Sequence, residues 1–135
     1  HLTYEEGAKF FRECRRVINP GTGAMRILVP DAHLLIGCYS NPTQWDELDG
    51  FGEINDGVSN APTKAAKLWA ILNQGHQCMY DAETLLDVLT KTGWKATKVS
   101  FREAHFNAMA QLIVRECVEG FPCLSLIVEA VPAIG

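Results

Sequence analysis

Three things are scarce in this sequence. No apolar run approaches the ~20 residues that a helix needs to cross a bilayer, so no membrane span is expected. Basic residues are neither abundant nor clustered: 12 Lys and Arg face 16 Asp and Glu, for a formal net charge of -4. That scatter leaves no electrostatic footprint for nucleic acid. Paired cysteine spacing is missing as well. The five cysteines (Cys14, Cys38, Cys78, Cys117, Cys123) are odd in number and include no Cys-x-x-Cys pair. Reduced thiols in a cytoplasmic protein are therefore expected, not a disulfide framework. The first residues are polar and lead into a helix start, unlike a signal peptide. The chain opens on His1 and not on Met, directly at that helix start, as though cut from something longer.

What is present is a folding composition. The chain has 135 residues, 47% of them apolar and 21% charged. One domain of this size buries roughly 65% of its unfolded surface. Thr3-Tyr4-Glu5-Glu6 has the pattern of a capping box, in which hydroxyl and carboxylate each satisfy an end amide. The helix behind it places Phe10, Phe11, Cys14, Val17 and Ile18 on one side, and Asn19-Pro20-Gly21 ends it. Residues 25–29 form an apolar run broken only by Arg26, which suits a strand covered on both faces. Asp31 is placed to cap a helix over 32–39. Residues 40–60 read as a long loop, and helical spacing returns with Ala65, Leu68, Trp69 and Leu72. Asp81 caps a helix over 82–92 with Leu85, Leu86 and Leu89 inward, and Gly93 stops it. A strand over 94–101 follows, with Lys95 and Lys98 marking an exposed position. Residues 104–118 read as helix and 123–131 as a final strand. This alternation argues an α/β fold: an open sheet of few strands with helices on its faces.

Several of these segments resemble class I S-adenosylmethionine-dependent methyltransferases, in particular methyltransferase type 11-like domains. The stretch "FFRECRRVINPGTGAMRILVPD" is similar to the helix, Pro-Gly turn and fifth strand of that family. "GHQCMYDAETLLDVLTKTGWKATKVSF" resembles its helix leading into the sixth strand, and "LSLIVEA" its closing strand. His1 and Leu2 resemble the tail of the "HVLEHL" element that ends the fourth strand. The resemblance implies a three-layer Rossmann-like open sheet of which residues 1–135 supply one partial domain, strands five to seven. It also implies methyl transfer from S-adenosylmethionine to an acceptor that the sequence does not name. The family's Gly-rich turn and acidic strand end, which approach the cofactor and hold its ribose, are absent. Gly21-Thr22-Gly23 precedes a strand, and Gly50-Phe51-Gly52 has no strand ahead of it. The implied partner is thus a missing N-terminal half, or a second copy of the chain covering an open sheet edge.

Candidate site residues follow the end of the fifth strand. His33, just past it, reads as a general base or as a polar residue of a first helical turn. His76 reads as the second candidate general base, in a loop that closes over the acceptor, or simply as part of that loop. Tyr80 is placed to bind substrate or to pack on the next helix. Asp31 stands at the substrate side of the strand end, and Asp81 is foremost a cap. His1 would lie near the cofactor by resemblance, or fray as a terminus. Trp45 and Trp69 read as pocket walls or as packing. His76-Gln77-Cys78 offers two soft ligands without paired spacing, so no metal is expected. The acidic loop 46–57 lacks the alternate-position carboxylates of a calcium loop.

Overall fold

The computed structural model describes residues 1–41, 61–100, 103 and 125–134. Among them the chain is mixed α/β, with four helices and a small antiparallel sheet of three strands. In chain order these are α1 (Tyr4–Val17), β1 (Met25–Pro30), α2 (Ala32–Ser40), α3 (Lys64–Leu72), α4 (Ala82–Lys91), β2 (Trp94–Val99) and β3 (Ser125–Pro132). The expected helix over 104–118, Trp45, Cys117, Cys123 and the acidic loop lie outside the described residues.

Local chemistry sets the helix ends. At α1 the capping box forms: the Glu6 amide donates to the Thr3 hydroxyl at 3.2 Å, and the Thr3 amide donates to the Glu6 carboxylate at 2.9 Å. The Thr3 amide and the Thr3 hydroxyl both donate to the Glu6 carboxylate at 2.9 Å and hold that carboxyl below its ordinary pKa. Asp31 caps α2 by accepting from the His33 amide at 3.0 Å. Asp81 caps α4 by accepting from the Thr84 amide at 2.8 Å, and its pKa is lowered by that hydrogen bonding. Gly93 ends the turn after α4 at φ +89°, a conformation that only glycine adopts without strain.

The sheet order is β1-β3-β2, and β3 runs antiparallel to both neighbours. β1 and β2 therefore point the same way. Register pairs Met25 with Ala130 and Pro30 with Ser125 on one side of β3, and Trp94 with Pro132 on the other. Alternation then sorts the side chains. Leu126, Val128 and Ala130 join Trp94 under α1 and α4, meeting Phe11, Leu85 and Leu89 in the main core. The Trp94 indole N–H donates to the Phe11 carbonyl at 3.0 Å, tying the sheet to α1. Arg15 fastens the other end of α1 through bonds of 3.1 Å to the carbonyls of Gly93 and Ala133. On the opposite face Arg26 and Glu129, direct cross-strand partners, form a buried ion pair. α2 and α3 build a smaller cluster of Leu35, Cys38 and Ile71.

Three expectations are corrected. The strand buried on both faces is β3, not β1: β1 has β3 alone as neighbour among the described residues, and its Leu28 is 40% exposed. A strand flanked on both sides gains cover that an edge strand lacks. Phe10 and Val17 are 53% and 65% exposed, because the buried stripe of α1 runs through Gly7, Phe11, Cys14 and Ile18. On α3, Ile71 is the buried residue, and Trp69 is 63% exposed on the other side.

Candidate functional site

A cavity of about 200 Å³ opens beside the carboxyl end of β1. Its apolar wall comes from Phe10 and Phe11 of α1 and from Ile27 and Val29 of β1. Gly7 also lines it, for a steric reason: a Cβ there would come within 2.7 Å of the Tyr80 hydroxyl. The other wall is the segment 76–80, faced by His1 and Leu2. That segment is bound to the start of the chain by several contacts. Gln77 donates to the His1 carbonyl at 2.9 Å, the Cys78 thiol donates to the Leu2 carbonyl at 3.3 Å, and the Tyr4 hydroxyl donates to the Met79 carbonyl. The rings of His1 and His76 sit 4.9 Å apart, and those of Tyr4 and Tyr80 meet edge-on at 5.4 Å.

Each predicted site residue has a definite place. His76 and Tyr80, four residues apart, are joined in the cavity wall by His1 from the distant start of the chain. His33 is not among the lining residues; it is exposed in the first turn of α2. Asp31 is 1% exposed and does not line the cavity either. It caps α2, lies 3.9 Å from Lys98 and pairs as a bridge with Tyr80, whose carbonyl accepts from the Ala32 amide at 2.9 Å. Asp31 thus positions the segment that carries Tyr80. Trp69 is not a lining residue.

The chemistry of the wall follows from its hydrogen bonds. The Leu72 carbonyl at the end of α3 lies 3.0 Å from His76 Nδ1 and can only accept, so Nδ1 carries the proton. In the neutral ring Nε2 is then the acceptor, the tautomer a general base needs. The Tyr80 hydroxyl is pushed up to about 12, first by burial and next by the Cys78 thiol beside it. It is a proton donor at neutral pH. Among the described residues no Asp, Glu, Lys or Arg lines the cavity. Among the described residues no cluster of three His, Cys, Asp or Glu is placed to hold a metal ion.

Sequence reasoning missed Gly7 and the aromatic wall of α1, and weighed Cys78 only as a metal ligand. Gly7 carried a readable signal, since an isolated glycine inside a helical pattern marks a close approach. The fold and site define a mixed α/β protein with a small, one-sidedly polar cavity at a strand end. No protein-family model matches the chain, and neither a curated protein nor a solved structure does.

Proposed function

We propose that this chain forms the substrate-side part of an S-adenosylmethionine-dependent methyltransferase and receives the methyl acceptor in the cavity beside β1. The observation that carries the reading is the sheet. Numbered as the resemblance numbers its strands, the order is fifth, seventh, sixth, with the first and last of these parallel and the seventh reversed between them. Doubly wound sheets that are parallel but for one antiparallel strand are consistent with this arrangement, and ligands of such folds lie outside the carboxyl ends of the parallel strands, the side on which this cavity lies.

The described residues do not fit the cofactor itself. The cavity offers no carboxylate for ribose hydroxyls, and about 200 Å³ falls short of the roughly 300 Å³ at which ordinary ligand pockets begin. On this reading the cofactor is held by chain other than the residues described, with His1 at the edge between the two sites. What these residues do is hold the acceptor: His76 Nε2 takes a proton from it, and the Tyr80 hydroxyl donates a hydrogen bond to it. Calorimetric titration of the complete gene product with S-adenosylmethionine tests this. Saturable binding together with transfer of a labelled methyl group supports the reading, and absence of both ends it.

A second reading, a non-catalytic half-domain that associates with itself or a partner, is favoured by the edge position of β1 among the described residues and by exposed Phe10, Val17 and Trp69. Sedimentation equilibrium distinguishes it: a monomer at all concentrations removes the homo-oligomer.

A further inference from the structure

We infer that the cavity selects a small uncharged molecule built of one apolar ring and one hydroxyl group, in chemical class a phenol or an enol. The inference rests on reading the cavity as the acceptor site, and adds the class of acceptor. Size sets the first limit. A dry apolar cavity of about 150 Å³ takes up benzene, so an open one of about 200 Å³ has room for a single substituted ring.

Polarity sets the second. Phe10, Phe11, Ile27 and Val29 form an apolar wall, while the polar groups of His76 and Tyr80 come from the segment facing it. A ligand with an apolar body and one polar end matches both walls at once. Among the described lining residues a carboxylate or phosphate finds no Lys or Arg and meets only the imidazoles of His1 and His76, and an amine finds no Asp or Glu, so a charged end is poorly compensated there.

The third limit is the pairing of donor and acceptor. His76 Nδ1–H is committed to the Leu72 carbonyl, so Nε2 accepts. Tyr80 keeps its proton at neutral pH and donates. A hydroxyl is the simple group that donates to the one and accepts from the other; a ketone or an ether lacks the donor. When the hydroxyl ionises, its O–H bond breaks, the proton forms an N–H bond at Nε2, and the oxyanion left behind keeps the Tyr80 hydrogen bond. One proton moves, and the imidazolium returns it to solvent afterwards.

The test is a methyl-detected NMR titration of the full chain at pH 7 with phenol, toluene and benzoate. Phenol is expected to shift the methyls of Ile27, Val29 and Leu72, to bind about fivefold tighter than toluene for the hydrogen bonds gained, and about tenfold or more tighter than benzoate. His76→Gln and Tyr80→Phe should each weaken phenol several-fold and leave toluene unchanged, which also reports that the variants are folded. Toluene or benzoate binding as well as phenol, or no shift at those methyls, overturns the inference. The two readings fail separately. Phenol selection in a gene product that neither binds S-adenosylmethionine nor transfers methyl groups defeats only the proposed function. Methylation of a charged acceptor by a cavity that rejects phenol defeats only the acceptor class.

Discussion

The two faces of β3 are both buried, and they are built on opposite principles. Leu126, Val128 and Ala130 close one face against α1 and α4 with apolar side chains alone. The other face buries Ile127 beside Glu129, whose carboxylate meets Arg26 across the strand pair. The apolar face gains stability in proportion to area removed from water. The charged face holds two ions that lost their hydration, and mutual attraction with further hydrogen bonds must offset that loss. One face therefore tolerates a lost methyl group at a moderate cost. The other punishes the loss of a single partner.

Separating the ion pair should give the largest effect. Arg26→Met alone leaves the Glu129 carboxylate buried and is expected to cost about 3–5 kcal/mol by urea unfolding. The double variant Arg26→Met with Glu129→Leu should recover most of that loss. If it is no more stable than the single variant, the charged face is held by the pair itself and the contrast with the apolar face disappears.

On the apolar face, Leu89→Ala removes a fully buried side chain from the main core and should cost about 3 kcal/mol. Ile71→Ala, in the three-residue cluster of α2 and α3, should cost about 2 kcal/mol, because a small satellite collapses around a void more readily. An equal or reversed order would make α2 and α3 part of one core with the sheet.

Two pH experiments probe the rim of that face. Tyr80 has a raised pKa in the folded protein, about 12 against an ordinary value of 10. Its contribution to stability is complete below pH 10 and is lost as pH rises toward 12. An alkaline absorbance titration should show one tyrosine ionising late, and Tyr80→Phe should abolish that phase. Gly7→Ala pushes a methyl group toward the Tyr80 hydroxyl, and by displacing it should bring the late phase nearer to pH 10. The smallest effect concerns Asp81. Its pKa is lowered, foremost by the hydrogen bonds from Thr84, so its contribution is present above the ordinary carboxylate pKa and is lost as pH falls through the lowered one. Asp81→Asn keeps a capping oxygen and should flatten the acid side of the stability profile, read from thermal melts between pH 2 and 6 (roughly the carboxylate range).

Helix starts and stops were legible in the sequence because each depends on a few adjacent residues. Thr3 with Glu6, Asp31, Asp81 and Gly93 all act within one turn, and all stand where spacing placed them. The inward faces were less legible. Phe10, Val17 and Trp69 fit an apolar stripe as well as their neighbours do, and which flank is covered depends on the element packed there.

The candidate site was legible in part. His76 and Tyr80 stood out as chemistry-bearing residues before a capped helix, yet nothing local told that His1 would meet them or that His33 would stand outside the cavity lining.

The sequence alone therefore determined the mixed α/β class, the capped helices, the alternation that makes β2 a strand and the apolar run that makes β3 one, since propensity, capping and periodicity are short-range. Only the tertiary structure decided that β3 inserts between β1 and β2, that Arg26 lies opposite Glu129, and that His1 and Leu2 close a cavity with the segment 76–80. Strand order and register are set by contacts between residues about a hundred positions apart, such as Arg26 and Glu129, and such contacts exist only once the chain has folded on itself.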